Sequence, residues 1–444
     1  MKQLALFSEQ SVLAPQAIPN HSERQRIEAR FAPLIREELR LGDLVSYAGN
    51  KAVPVLRLYR YKEAFAFGFV EEFINRFGLT EKDYLFDPFC GMGTTLFAAM
   101  QGRIPSIGID RLPVAAFVAQ TLPLFLAAEQ SAIKETYEML KARVPEATPA
   151  EVASDVAIMK IAFPPDMLLS LRKWKGAIDE LRSPLRDIFL LLFFSILEPC
   201  SYTSKDGQFL RLKREKRLAD PGEMLQRGVQ DAEKDILLFR QIWGNGQQRQ
   251  TPTVQLADAR DLSQVCFEKP PTALITSPPY ANRYDYTRTY ALELCFHFVR
   301  NFAELKALRF SILRSHIESK VDATDHPSHL VIAEVVDILS QRRKTLNNPR
   351  IPDMLVTYFV DMQKVIGEWG KVLAPGAKAA MVVDNVRFEG ELVPVDLVLS
   401  EMAEIAGFRT KEVIVTRYKG NSSQQMGKYG RVPVRESIVI WEKS

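Results

Sequence analysis

The chain has 444 residues, of which 47% are hydrophobic and 25% are charged, proportions typical of a soluble globular protein. The formal net charge of +4 is too small to indicate a nucleic-acid partner by itself, so such an argument must rest on where the charges lie. The four cysteines have no paired spacing, which excludes a zinc pattern, predicts no metal site and favours reduced thiols in the cytoplasm. The N-terminus lacks the apolar core of a secretory signal, and no apolar run is long enough to span a membrane.

In chain order, the first predicted element is a helix. Residues 22–40 have helical periodicity, and we predict a helical extension over residues 1–50. Residues 84–86 then predict a short buried strand, followed by a glycine-rich turn, a helix over 94–100 and a second strand over 104–109. A β-α-β unit with glycines at its first strand-to-helix turn is typical of open, mainly parallel sheets.

Helical patterns interrupt this alternation over residues 121–249, which we predict to be an inserted helical lobe. Residues 51–120 and 250–444 are left to form the main domain. Five further strands are predicted at residues 253–256, 273–276, 379–383, 410–416 and 436–441. Because no helix separates the last two, they should form an antiparallel pair at one edge of the sheet. We therefore predict an α/β fold with a seven-stranded, mostly parallel sheet covered by helices on both faces.

The glycine-rich turn, residues 87–93 with the sequence DPFCGMG, is a candidate ligand site. It contains Asp87, Phe89, Gly91 and Gly93, and Thr94 begins the next helix. In an open parallel sheet this turn lies at the carboxyl ends of the strands, where glycine lets the backbone approach a ligand closely. The spacing differs from that of a dinucleotide-binding turn and no lysine follows Gly93, so the turn is not a phosphate loop.

Two more carboxylates follow predicted strands. Asp110 ends the second strand, where its carboxylate can accept hydrogen bonds from two ribose hydroxyls, and Asp258 follows the third strand, where it can face an adenine amino group. Each aspartate alone would more often be a helix cap, but the series of motifs is improbable by chance. Ribose, adenine and an amino-acid tail without phosphate are the parts of S-adenosylmethionine, which we predict to be the cofactor.

A second motif, residues 276–280 with the sequence TSPPY, directly follows a predicted buried strand. It offers a hydroxyl, proline-locked carbonyls and an aromatic face in one tight turn, from Ser277, Pro278, Pro279 and Tyr280. A planar amino group on a nucleobase needs such a set if its nitrogen is to attack an electrophilic methyl group. A rigid structural loop is the alternative interpretation.

Together these residues resemble the bacterial amino-methyltransferases that modify exocyclic nitrogens of DNA bases with S-adenosylmethionine. The first motif of that family contains F-x-G-x-G, here residues 89–93, and its catalytic motif is (D/N/S)-P-P-(Y/F/W), here residues 277–280. The serine form preceded by threonine is similar to the cytosine-N4 enzymes, whereas aspartate or asparagine is commoner in the adenine-N6 enzymes. The resemblance implies a Rossmann-like class I methyltransferase fold, with residues 51–120 and 250–444 as the catalytic domain.

The resemblance also implies further roles. Residues 51–65 resemble the motif that closes the cofactor pocket, so Tyr61 or Phe65 can cover the cofactor. The position of residues 121–249 resembles that of a target-recognition region, and residues 300–350 are a second candidate. Double-stranded DNA is the implied partner, methylated at a specific sequence in restriction–modification or epigenetic marking, and a cognate restriction endonuclease is a further candidate partner.

Hydrogen bonds to Ser277 Oγ and to a main-chain carbonyl near Pro278 would draw the amino nitrogen toward a tetrahedral shape, while Tyr280 stacks on the base. The base must leave the duplex to reach these groups. Basic stretches that also carry Asn, Gln, Ser or Tyr are candidates for DNA contact, as are two residues directly after the TSPPY turn. The candidates are Asn282, Arg283, Lys205, Arg211, Lys213, Arg214, Arg342, Arg343, Lys419 and Arg431.

Three alternatives stay open at this point. Adenine N6 in DNA presents the same kind of amino group as cytosine N4. RNA-modifying enzymes use related turns, although no appended RNA-binding module is recognisable here. A noncatalytic DNA-binding subunit could keep the fold, although the intact Asp87, Gly91, Gly93 and Asp110 argue against loss of the cofactor site.

Overall fold

The computed structural model describes residues 22–206, 209–244, 250–419, 430 and 433–444. Its helices are α1 Glu23–Phe31, α2 Phe67–Phe77, α3 Thr94–Gln101, α4 Pro113–Ala127, α5 Gln130–Arg143, α6 Ala157–Ile161, α7 Pro165–Asp179, α8 Leu185–Leu197, α9 Pro221–Trp243, α10 Tyr286–Thr289, α11 Ala291–Glu293, α12 Phe302–Ser311, α13 Leu330–Gln341, α14 Ile351–Val372 and α15 Val395–Ile405. Its strands are β1 Ile35–Glu37, β2 Leu85–Asp87, β3 Ser106–Asp110, β4 Thr203–Asp206, β5 Phe209–Leu212, β6 Thr253–Leu256, β7 Ala273–Thr276, β8 Lys378–Asp384, β9 Val386–Phe388, β10 Glu391–Val393, β11 Phe408–Lys419 and β12 Val434–Lys443. Across the described ranges, no helix combines the length and apolarity that crossing a bilayer requires.

The main sheet has eight strands in the order β1-β11-β12-β8-β7-β2-β3-β6. Every neighbouring pair is parallel except the two that involve β12, which runs antiparallel to both β11 and β8. Strand β2, which carries the glycine turn at its end, lies between β3 and β7. The carboxyl ends of β2, β3 and β7, at Asp87, Asp110 and Thr276, therefore lie side by side, as expected for a Rossmann-like fold.

All seven predicted strands are present, and the structure differs from the prediction at the sheet's edge. The antiparallel pair β11–β12 forms, but β12 folds inward between β8 and β11 and is not outermost. An eighth strand, β1, comes from the predicted helical extension and pairs with β11 through Ile35 and Val413. Helix α1 ends at Phe31 because Pro33 follows it, and the chain then becomes extended.

The sheet separates two apolar cores, because successive residues of a strand face opposite sides. Leu85 belongs to one core and Phe86 to the other. Likewise, Val382 faces the first core and Met381 the second. The second core is completed by α13, α14 and α15, whereas the first continues into the inserted helices.

The insertion over residues 121–249 is mainly helical, and its apolar core is continuous with the first core of the main domain. The predicted boundary at residues 120 and 121 falls inside α4. From α9, the Phe239 ring lies 5.6 Å from Phe97 on α3, and the Trp243 ring lies 6.0 Å from Phe67 on α2. The inserted helices therefore cover one side of the main domain and share its core.

Candidate active site

The turn after β2 depends on its glycines. Gly91 and Gly93 have φ of 52° and 85°, a region that other residues rarely occupy. A Cβ on Gly93 would lie 2.9 Å from Ala119 Cβ on α4, and a Cβ on Gly91 would lie 3.1 Å from Cε1 of Tyr61. The backbone is thus held against α4 on one side and against Tyr61 on the other.

Asp87 connects the glycine turn to the TSPPY segment. Its Oδ1 accepts hydrogen bonds from the Phe89 amide at 3.1 Å and from Thr276 Oγ1 at 2.7 Å. The side chain is buried, and burial raises the pKa of this carboxyl to about 6. The residue directly before Ser277 is therefore anchored to the same carboxylate that shapes the glycine turn.

Asp110, at the end of β3, braces the same turn. Its Oδ2 accepts a hydrogen bond from the Gly91 amide at 2.9 Å, and its Oδ1 accepts one from the Leu112 amide at 2.8 Å. Burial raises the pKa of Asp110 to about 6. Each carboxylate oxygen has further lone pairs, which can accept hydrogen bonds from a ligand in the adjoining cavity.

That cavity, which we call the cofactor cavity, has a volume of about 850 Å³, part of it open to solvent. Among the residues predicted to bind the cofactor, eight line it and Gly93 does not. The eight are Tyr61, Phe65, Asp87, Phe89, Gly91, Thr94, Asp110 and Asp258.

Two of these lining residues, Tyr61 and Asp258, also contact other side chains of the protein. Tyr61 stacks on Tyr290 with ring centroids 4.9 Å apart, which fixes its ring against the glycine turn. Both carboxylate oxygens of Asp258 accept hydrogen bonds from Arg260, one of them at 2.6 Å. Burial opposes ionisation of Asp258, but Arg260 holds its pKa below the usual value. An adenine amino group that donates to Asp258, as predicted, would therefore share the carboxylate with Arg260.

The TSPPY segment follows β7, the neighbour of β2 in the sheet. Ser277 lines the cofactor cavity and also a second cavity of about 830 Å³, which we call the target cavity. Pro279 lines only the first of the two, whereas Pro278 and Tyr280 line only the second. Ser277 Oγ donates to the main-chain carbonyl of Val382 on β8 at 3.3 Å. The double-proline turn thus forms part of the partition between two adjoining cavities.

A charged cluster from β8, β11 and β12 walls the target cavity. Tyr280 Oη donates to Glu436 at 3.1 Å, and Lys419 Nζ pairs with Glu436 at 2.6 Å and with Asp384 at 3.0 Å. Burial raises the pKa of Asp384 to about 6, and its Oδ1 has no hydrogen-bond partner among the described residues. The cavity thus offers an ammonium donor and a carboxyl group beside the Tyr280 ring, whose centroid lies 5.6 Å from Lys419 Nζ.

Sequence reasoning missed several residues of this site. Glu63 lines both cavities, and its carboxylate accepts hydrogen bonds from the hydroxyls of Tyr284 and Tyr290. Asp384 and Glu436 were not predicted either. The one signal available was that Asp384 follows a predicted strand, where carboxylates commonly face ligands.

The structure corrects one predicted DNA contact. Lys205 is only 5% exposed and forms an ion pair with Glu293, which is 1% exposed. Its ammonium also lies 4.4 Å from the centroid of the Tyr290 ring. Lys205 is therefore an internal residue that cannot reach a phosphate in this conformation, because its charge is neutralised inside the protein.

The other predicted DNA contacts are dispersed. Asn282 and Lys419 line the target cavity, and Arg283 next to them has φ of 73° and donates to Asn347 Oδ1 at 3.4 Å. In and just after strand β5, Arg211 and Arg214 are exposed and Lys213 is half-buried. Arg342 pairs with Glu391 at 2.9 Å and Arg343 with Asp353 at 2.6 Å, whereas Arg431 lies outside the described residues.

Comparison with known proteins identifies relatives along nearly the whole chain. The Type II methyltransferase M.BsoBI of Geobacillus stearothermophilus is 33% identical, covering 95% of this chain and 92% of its own. The Type II methyltransferase M.AvaI of Nostoc sp. is 31% identical, covering 94% and 92%. The Type II methyltransferase M.MvaI of Kocuria varians is 22% identical over 72% of this chain and 73% of its own.

Two other comparisons give less information about the family of this chain. No protein-family model matches the chain. The solved rRNA methyltransferase aviRa of Streptomyces viridochromogenes is 13% identical and covers 88% of this chain and 91% of its own, with a TM-score of 0.32. The strand order, and not this weak overlap, identifies the fold as Rossmann-like. With two relatives above 30% identity over nearly their full length, this chain belongs to the Type II methyltransferases and is a DNA methyltransferase that uses S-adenosylmethionine.

Proposed function

We propose that the chain transfers a methyl group from S-adenosylmethionine to the exocyclic N4 of a cytosine flipped out of double-stranded DNA, at a specific sequence. The observation that carries this proposal is the position of Ser277, at the boundary between the cofactor cavity and the target cavity. A nucleophile and a methyl donor can meet there without either leaving its own cavity. Restriction–modification is the setting in which sequence-specific methylation of this kind protects DNA.

The cofactor cavity suits S-adenosylmethionine by the chemistry of its donors. The carboxylates Asp87, Asp110 and Glu63 line a partly enclosed space, and their negative charge favours a ligand with a positive sulfonium. Asp110, which already accepts a hydrogen bond from the Gly91 amide, would also accept hydrogen bonds from the ribose hydroxyls. When bound, the cofactor supplies an electrophilic methyl group.

The TSPPY turn would activate the target nitrogen. The lone pair of an exocyclic amino group is delocalised into the ring, which makes the nitrogen a poor nucleophile. If its two N–H groups donate to Ser277 Oγ and to the carbonyl of Pro278, the nitrogen becomes more tetrahedral and its lone pair turns toward the cofactor cavity. The prolines fix φ and lack N–H groups, so the turn presents acceptors in a rigid frame.

The walls of the target cavity favour cytosine over adenine. Beside its amino group, cytosine presents two acceptors, N3 and O2, whereas adenine presents N1 followed by a C–H group. Lys419 supplies a donor for O2, and the carboxyl of Asp384, whose pKa burial raises to about 6, supplies a donor for N3 when it is protonated. Methylation makes the nitrogen strongly acidic, so its proton can leave without a strong base.

The test is to incubate the purified chain with methyl-labelled S-adenosylmethionine and, in parallel reactions, duplex DNA or RNA, and to identify the labelled nucleoside. Label in N4-methylcytosine supports the proposal, and label in N6-methyladenine supports the adenine alternative. Label in RNA alone, or no label in any nucleic acid, would refute DNA methylation by this chain. Ser277→Ala serves as the matched control because it keeps both cavities and removes only the hydroxyl.

The recognition sequence and the partner call for a second measurement. A methylome read from cells that express the chain gives the modified sequence, because every copy of a recognised site carries the mark. A cognate restriction endonuclease would cut unmodified copies of that sequence and spare modified ones. Random placement of the mark would contradict sequence-specific methylation.

A further inference from the structure

The inserted segment carries a two-stranded hairpin that stands apart from the main sheet. Strands β4 and β5 pair antiparallel, with Thr203 opposite Leu212 and Asp206 opposite Phe209. The hairpin is fixed to the protein near its turn by the internal ion pair between Lys205 and Glu293. Leu210, the cross-strand partner of Lys205, is buried as well, so one face of the hairpin is attached to the protein.

The hairpin adjoins the target cavity. Lys62 Nζ donates to the main-chain carbonyl of Lys205 at 2.6 Å, and Lys62 itself lines the target cavity. Strand β5 also packs beside α10, which begins with Tyr286, a residue that lines both cavities. A duplex that places a base in the target cavity would therefore lie next to this hairpin.

The outer face of the hairpin suits a nucleic acid. Phe209 is 51% exposed, and Arg211, two residues later on the same face of β5, is exposed as well. Leu210, between them, points to the opposite face and is buried. Arg214 and Arg217, which follow the hairpin, are also exposed. An exposed phenylalanine bordered by arginines combines an apolar wedge with groups that bind phosphate.

We infer that the β4–β5 hairpin enters the DNA duplex beside the flipped base, with Phe209 inserted into the base stack and Arg211 and Arg214 on the flanking phosphates. The inference rests on the proposed function, since it requires a base that leaves the duplex. A two-stranded β-ribbon fits the major groove, and a ring that stacks on the neighbouring bases replaces part of the stacking lost when a base flips out.

The test compares Phe209→Ala with Phe302→Ala, a control of similar exposure at 47% on α12, away from both cavities. The substrates are two duplexes that carry the site read from the methylome, one with the target cytosine paired and one with it opposite an abasic position. Phe209→Ala should lower kcat/KM on the paired duplex by roughly 5- to 150-fold, the range expected for one base–aromatic stacking contact. On the unpaired target the loss should fall to about twofold, because the cost of unpairing has been removed.

The role of Phe209 also predicts how the variants and the two duplexes should compare. An equal loss on both duplexes, or no loss on the paired one, would overturn the inference, and so would the same loss in Phe302→Ala. Retained activity in Phe209→Trp supports it, since tryptophan also stacks. Wild-type protein that labels no duplex DNA would overturn both the proposed function and this inference. Wild-type protein that labels cytosine, together with a Phe209→Ala variant indistinguishable from it, would overturn the hairpin inference alone.

Discussion

Gly93→Ala should destabilise the protein by an amount that follows from its geometry. The residue has φ of 85°, and alanine in this left-handed region costs about 1–2 kcal/mol. Its new Cβ would lie 2.9 Å from Ala119 Cβ and 3.1 Å from Ala119 Cα, and because a helix backbone cannot move aside easily, overpacking adds about 1–3 kcal/mol. Lower entropy of the unfolded chain returns about 0.4–1 kcal/mol. The free energy of unfolding should therefore fall by about 1–5 kcal/mol.

The matched control is Gly367→Ala in the interior of α14. A Cβ there meets nothing within 4 Å, so the change should raise the free energy of unfolding by about 0.5–1 kcal/mol. Urea denaturation followed by circular dichroism measures both changes, and titration calorimetry should show weaker cofactor binding for Gly93→Ala alone. Equal effects of the two substitutions on stability would refute the conclusion that the turn after β2 requires glycine.

Three further predictions concern the site and its support. Ser277→Ala should lower kcat more than about 100-fold and change the cofactor Kd less than about twofold, whereas Asp110→Ala should mainly raise that Kd. Calorimetry measures the Kd and single-turnover kinetics measures the chemical step. Equal effects of the two substitutions on Kd would count against these roles. Burial raises the pKa of Asp110 to about 6 from an ordinary value of 3.8, so as the pH falls the folded protein takes up this proton before the unfolded chain does, and protonation of this group favours folding. The cofactor Kd should rise about tenfold per pH unit below 6, because the protonated carboxyl loses its charge. A Kd profile as flat as that of Asp110→Asn would contradict this. Lys205→Ala leaves Glu293 buried and unpaired, so the free energy of unfolding should fall by about 3–5 kcal/mol in urea denaturation, with Lys205→Met/Glu293→Leu recovering most of the loss.

The fold could be predicted largely because its signals are local. Buried strands, the glycine turn and the alternation of strands with helices are each encoded within a few residues, and all seven predicted strands are present. Strand β1 was missed because three residues, Ile35–Glu37, are too few to show alternation and follow a helical pattern. Its pairing with Val413 is a long-range contact that periodicity cannot reveal.

The site could be predicted where residues share a motif and not where they converge from distant segments. Asp87 and Ser277 stand in two short motifs, so the sequence predicts them and the structure shows them lining the cofactor cavity, whereas Glu63, Asp384 and Glu436 come together only in the folded chain. Lys205 was misjudged for the same reason. A lysine in a basic run has the same local sequence whether it is solvated or paired, and its partner Glu293 lies on a distant helix.

The core that the insertion shares with the main domain limits how this part of the chain can be exchanged. Phe239 and Trp243 of α9 cover the rings of Phe97 and Phe67, so removing or exchanging residues 121–249 as a unit would expose those rings to water. Domain shuffling between related enzymes would therefore have to carry the matching surface of α2 and α3 along with the graft. Swapping exposed side chains one at a time, with the helices kept in place, is the route that this architecture leaves open for testing whether residues 121–249 read the target sequence.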